Sequence, residues 1–269
     1  MNWVEALVLA VVQGLTEFLP VSSDGHLVLG AAVFGELPEG FLRYELLLHL
    51  GTLLAALIYY RSDVAGIVRS LLTPAADAGA RASRRIALLI VAALVPTFVV
   101  VRSLEPFFEG LHTVPASAVA GLAINGAMLL AASWLAPAGT LSLAETPWWK
   151  AALIGLAQCA APVPGISRSG TTIVAALFCG LRREEAVRFS FLLSIPTVGG
   201  AVALKLAEGL RTPAVVQPAV SAAGIALAAL TGYLAILLVL RWTREGRLWQ
   251  FGLYCWAAAG LAAAMLAAR

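Results

Sequence analysis

The run QGLTEFLPVSSDGH, residues 13–26, gathers Gln13, Glu17, Ser22, Ser23, Asp24 and His26 within an otherwise apolar chain. Gln13 and Glu17 are four residues apart and share one face of a helix. Hydroxyls beside a carboxylate and an imidazole are the parts of nucleophilic or acid–base chemistry. A second run, PVPGISRSGTT at residues 162–172, carries Ser167, Arg168, Ser169, Thr171 and Thr172 and has no acid. Its guanidinium is a planar fork of donors matched to phosphate. One run therefore offers acid, base and alcohol, and the other a grip for an anionic, oxygen-rich substrate. Gly25 and Gly170 precede apolar helical runs, and the helix N-termini there would aim free N–H groups at the same ligand.

Familiar soluble chemistries do not fit. GISRSGTT has the glycine spacing of a phosphate-binding loop, with Gly165 and Gly170, but Thr171 stands where lysine is needed. No HExxH or GxSxG is present. Cys159, Cys179 and Cys255 form no CxxC pair or zinc spacing and read as core thiols. The net charge of +3 comes without a basic, aromatic-interleaved stripe, so nucleic acid is not an expected partner.

The elements that must position the two runs are membrane helices. The chain has 269 residues, 61% hydrophobic and 12% charged, with a mean hydropathy of +0.90. That is about half the charge of a soluble domain. The fold expected is an all-α polytopic membrane protein, a single membrane domain over 1–269. Six apolar runs are long enough to span: 42–60, 84–103, 115–136, 186–208, 216–240 and 248–268. Residues 2–35 and 149–180 are instead each broken midway, by LPVSSDG and by PVPGISRSG. Each half is too short to cross, so both read as re-entrant helical hairpins whose irregular backbone lines a cavity. The start, MNWVEALVLAVVQGLTEF, lacks a basic n-region and a small-residue cleavage site, which predicts no removable signal peptide.

The two breaks match at an offset of 145 residues, pairing Ser22 with Ser167, Gly25 with Gly170, Arg43 with Arg188 and Thr52 with Thr197. This predicts repeat 1 over 1–136 (hairpin 2–35 plus three spans) and repeat 2 over 149–268 (hairpin 149–180 plus three spans). Three spans end on the side opposite their start, so the repeats are inverted, an architecture known in transporters. Of the 18 lysines and arginines, twelve fall on one side, among them Arg84, Arg85, Arg241 and Arg244. That side is expected to be cytoplasmic, with both termini and the first hairpin's mouth facing outward. Thr52, Thr97, Thr197 and Ser117 read as packing or backbone-bonding residues. His49 and His112 read as structural or interfacial, and Arg43 and Arg188 as snorkelling side chains.

With these motifs the sequence resembles the undecaprenyl-diphosphate phosphatase family of the bacitracin-resistance, integral-membrane type. The family's first motif is similar to Gln13–His26 here and its second to Pro164–Thr172. The flanks RYELLLHLGTLLA and RFSFLLSIPTVGGA are similar as well. The resemblance implies hydrolysis of a C55 prenyl diphosphate in the bilayer of the bacterial inner membrane, recycling the lipid carrier of cell-wall synthesis, with antibiotic resistance as a consequence. It implies Glu17, Ser23, His26 and Arg168 as catalytic residues. Ser22, Gly25, Ser167, Arg168, Ser169, Gly170 and Thr172 are implied to hold phosphate. A divalent cation, Mg2+ or Ca2+, is implied near Glu17, Gln13 and Asp24. Gln13 is the amide alternative at its position, and Asp24 stands where many relatives have threonine. The nucleophile stays open among Ser23 with His26 as base, His26 itself, and a water activated by Glu17. A transporter or flippase of a prenyl phosphate lipid is the alternative function. A homodimer is one arrangement the sequence leaves open.

Overall fold

A computed structural model describes residues 2–34, 41–74, 77–209 and 217–268. Among the described residues the architecture is all-helical, with twelve α-helices: α1 Trp3–Phe18, α2 Ser23–Phe34, α3 Phe41–Tyr59, α4 Arg61–Leu72, α5 Ala78–Ser103, α6 Glu105–His112, α7 Pro115–Leu135, α8 Trp148–Gln158, α9 Arg168–Phe178, α10 Arg183–Gly209, α11 Pro218–Arg244 and α12 Leu248–Ala267. Five of these, α5, α7, α10, α11 and α12, are long and apolar enough to cross a membrane. The sixth expected span lies in α3, whose described apolar part, Tyr44–Tyr59, is shorter. The expected side chain of Arg43 lies outside the described residues.

Both predicted breaks are present. α1 starts on a capping box, in which Asn2 Oδ1 accepts from the Glu5 N–H at 2.8 Å and Glu5 Oε2 accepts from the Asn2 N–H at 2.9 Å. It stops at Phe18 because Leu19 precedes Pro20 and is pushed to extended backbone, φ −59° and ψ 138°. Ser22 then adopts φ +68°, the left-handed region that side chains other than glycine rarely occupy. α2 follows at once. In the second break, α8 ends at Gln158 and α9 starts at Arg168. The intervening segment turns through Pro162, Pro164 and Gly165, whose φ is +90°. This hairpin returns to its own side: Lys150 Nζ, at the start of α8, donates to the Cys179 carbonyl beyond the end of α9 at 2.7 Å.

The long helices pack around the hairpins. α1 packs against α11 and α3, α8 against α5, α9 against α10, and α2 against α7. α7 crosses α12 most extensively of all pairs, and there Gly126 and Gly252 leave no room for side chains. A Cβ at either position would come within 3 Å of the other's carbonyl oxygen, 2.8 and 2.9 Å respectively. Between α7 and α8, an extended pairing of Leu141 with Leu181, including Arg182 N–H to Leu141 carbonyl at 3.0 Å, pins the linker to the start of α10. Thr52, Thr97, Thr197 and Ser117 donate to backbone carbonyls of their own helix or its lead-in, as their isolation in apolar runs predicts. Arg188 does more than snorkel: it is ion-paired to Asp63 of α4 and Glu185 of its own helix.

Candidate active site

The two breaks meet inside the helix bundle. Gly25 and Gly165 touch so closely that a Cβ on Gly25 would lie 2.6 Å from the Gly165 Cα. Ser169 Oγ reaches the Leu19 carbonyl across the junction at 3.4 Å. Beside this contact lies a cavity of about 410 Å³, lined by Glu17, Ser22, Ser23, Asp24, Ser167 and Arg168 from the tips. Its remaining walls are partly apolar, from Leu46, Val101, Ile166, Val198 and Val202, and partly cationic or imidazole, from Lys205, His49 and His112.

Glu17 is the hub. Its Oε1 is ion-paired to Arg168 Nη2, with side chains only 7% and 13% exposed. Its Oε2 accepts from Gln13 Nε2 at 3.0 Å and from Ser23 Oγ at 3.5 Å, and lies 3.5 Å from His49 Nε2. One carboxylate thus touches the guanidinium of the second break and the hydroxyl of the first. The other end of the Arg168 fork, Nη1, is buried and has no hydrogen-bond partner. An orphaned buried donor of a charged group is costly, by roughly 1–3 kcal/mol or more.

The sequence-expected residues divide. Glu17, Ser22, Ser23, Asp24, Ser167 and Arg168 share the cavity, and Gln13 stands behind Glu17. No hydrogen bond joins His26 to Ser23. Its Nδ1 is 2.7 Å from the Ser22 carbonyl, its Nε2 is 2.8 Å from the Tyr254 hydroxyl, and its ring stacks on Tyr254. Ser169 and Thr172 are occupied by structural bonds, Ser169 to Ser167 Oγ at 3.0 Å and Thr172 to Ser190 Oγ at 2.6 Å. The amides of Gly25 and Gly170 are not free for a ligand either, since Ser22 and Ser167 cap them at 3.2 and 3.1 Å. A serine cap satisfies one orphan donor of a helix start, which is why both motifs put serine three residues before glycine.

His49 is the residue that the sequence reading misplaced. It is not merely interfacial: it lines the cavity, meets Gln13 Nε2 at 3.2 Å and Glu17 Oε2 at 3.5 Å, and is oriented by Nδ1 to the Glu45 carbonyl at 2.9 Å. The available signal was an imidazole in the middle of an apolar run, which by default marks a site. Asn125, fully buried on α7 and bonded to both breaks, carried no motif at all.

Among the described residues no three His, Cys, Asp or Glu side chains converge as ligands. The Glu17 oxygens face Arg168, Gln13, Ser23 and His49 instead.

Helices of membrane length around two broken helices that meet at a carboxylate- and arginine-bearing cavity define a multi-pass membrane protein. The family described as bacitracin resistance protein BacA matches residues 6–261. A protein of Geobacter sulfurreducens named undecaprenyl-diphosphatase is 40% identical over 275 residues, covering 100% of both chains. One of Rubrobacter xylanophilus with the same name is 42% identical over 268 residues, covering 97% of each chain. The chain belongs to this bacitracin-resistance, undecaprenyl-diphosphatase family.

Proposed function

We infer that the chain is an undecaprenyl-diphosphatase, a membrane hydrolase that converts undecaprenyl diphosphate to undecaprenyl phosphate and phosphate and so recycles the lipid carrier of cell-wall synthesis. One observation carries the assignment of the site: the buried Arg168 fork, half on Glu17 and half without a partner, facing Ser23 across the two tips. The terminal phosphate would lie on Arg168, and the apolar wall around Leu46, Val198 and Val202 suits the first isoprene units. Ser23 Oγ attacks the terminal phosphorus, the bond from phosphorus to the bridging oxygen breaks, and undecaprenyl phosphate leaves. The hydroxyl proton passes to Glu17, the carboxylate that Ser23 already reaches. Glu17 gives that proton to the departing undecaprenyl phosphate and takes one from a water whose oxygen attacks the phosphoserine phosphorus. The bond from phosphorus to Ser23 Oγ breaks, inorganic phosphate leaves and the proton returns to Ser23 Oγ. His26, which the resemblance implies as a catalytic residue, holds the start of α2 through the Ser22 carbonyl in this arrangement.

The resemblance implies a divalent cation, for which Gln13, Glu17 and Asp24 would be the candidates. Loss of turnover in a chelator and its return with Mg2+ or Ca2+ tests it. Inverted repeats are supported by the paired serine caps at Ser22 and Ser167. They are also supported by the exchange of partners, α1 on α11 and α8 on α5. By cation count the first tip opens outward and both termini lie outside; side-specific cysteine labelling of the termini checks this.

Lipid transport is the second reading. A cavity of about 620 Å³ lined by Tyr60, Arg188, Arg241 and Arg244 lies at the other ends of α3 and α10, about 15 Å along α3 from His49. Purified protein in detergent, given farnesyl or undecaprenyl diphosphate with Mg2+ or Ca2+, decides: released phosphate establishes the phosphatase. Its absence, with lipid movement in vesicles, would replace it with the transporter.

A further inference from the structure

We propose that Asn125 is a positioning residue that sets the nucleophile tip against the phosphate-binding tip; this rests on the phosphatase reading. Its side chain is 0% exposed and lies on α7, outside both hairpins. Asn125 Nδ2 donates to the Pro20 carbonyl at 2.8 Å, and its Oδ1 accepts from the Ser167 N–H at 3.1 Å. Only this orientation of the amide places a donor on a carbonyl and an acceptor on an N–H. Both backbone groups are orphaned by the breaks. The Pro20 carbonyl sits between the end of α1 and the start of α2, and the Ser167 N–H belongs to the cap residue ahead of α9. A single amide completes both.

The covalent neighbours of these groups are the site. Ser167 adjoins Arg168. Pro20 is three residues from both Glu17 and Ser23. One turn earlier on α7, Gly121 extends the same seat: a Cβ there would lie 2.0 Å from the Pro164 carbonyl oxygen. The second break therefore rests on α7 backbone, and Asn125 ties the first break to the same helix. Glu17 and Arg168 stand 151 residues apart in the chain, so the alignment of the two tips depends on such cross-links. An error in that alignment lowers the rate of attack more than it weakens the grip on phosphate, because small misplacements of reacting groups cost large factors in rate.

The test uses the full chain in detergent with farnesyl diphosphate. Asn125→Leu keeps the volume and removes the bonds to both breaks, together with the Asn125 Nδ2 contact to Cys255 Sγ of α12 at 3.3 Å. It is expected to lower kcat about 10–100-fold, with KM and inhibition by inorganic phosphate each changed less than about threefold because Arg168 still holds phosphate. Amide hydrogen exchange should rise in peptides covering 19–26 and 159–170 and not in α11. Should Asn125→Leu not fold, Asn125→Asp, which keeps the acceptor for Ser167 and loses the amide donor to Pro20, is judged by the same two readouts. A folded variant with kcat within twofold of the parent, or unchanged exchange at the tips, overturns the proposal. If the unaltered protein releases no phosphate, the phosphatase reading falls, and the exchange measurement still decides the positioning role.

Discussion

The two tips begin from one template and end as different machines. Each has a helix broken near a proline and a restarted helix capped by serine onto the glycine three residues on, Ser22 with Gly25 and Ser167 with Gly170. The first break is short, from Leu19 to Ser22, and turns through a strained serine at φ +68°. The second runs from Cys159 to Ser167 and turns through Gly165. The short turn keeps the carboxylate of Glu17 and the hydroxyl of Ser23 within 3.5 Å of each other. The longer one carries no acid and delivers Arg168 from the opposite hairpin. Strain of about 1–3 kcal/mol at a non-glycine left-handed residue persists only where surroundings enforce it. At Ser22 they do, through the cap, the His26 contact with its carbonyl and the junction with Gly165. The difference is a division of chemical character, a tip with a carboxylate and hydroxyls against one with a guanidinium, and among the described residues the Glu17–Arg168 ion pair links them.

That division predicts kinetic signatures. Arg168→Ala should have the largest effect, a loss of at least about 10²–10³-fold in kcat, with binding of inorganic phosphate also lost; unaltered hydrolysis would remove Arg168 from the site. Ser23→Ala should lower kcat by a comparable factor while phosphate still binds, and no phosphoserine should form. Near-normal turnover would end the serine proposal. His49→Ala should lower kcat about tenfold or more, since it withdraws one of the groups holding Glu17, each hydrogen bond to a charged group being worth roughly 1.5–3 kcal/mol. An effect on KM alone would place His49 with the binding half instead. Tyr254→Phe should be mildest, about fivefold or less, because it removes one neutral hydrogen bond of about 1 kcal/mol at His26. A loss as large as that of Ser23→Ala would restore His26 to the chemistry.

Much of this was legible in the residues. Low charge, apolar runs of membrane length and proline–glycine interruptions announced helices and breaks, and the helices formed where the runs lie. Glu17, Ser23 and Arg168 were identifiable because a charge or polar cluster in hydrocarbon needs a reason. Ser169 and Thr172 sit in the same motif as Arg168 and looked equivalent to it. Motif membership does not say which way a side chain points, and both turn into packing: Ser169 toward Leu19 and Thr172 toward Ser190.

By itself, the sequence determined the class of protein, the places where helices break and the chemical character of each break, because hydropathy, proline geometry and capping act over a few residues. Tertiary structure alone decided that Glu17 meets Arg168, that His49 joins them while His26 turns to Tyr254, and that Asn125 spans both breaks. Those pairings join residues from 32 to 228 positions apart. They depend on how α3, α7 and α12 pack around the hairpins, and no local rule of helix or turn formation carries that information.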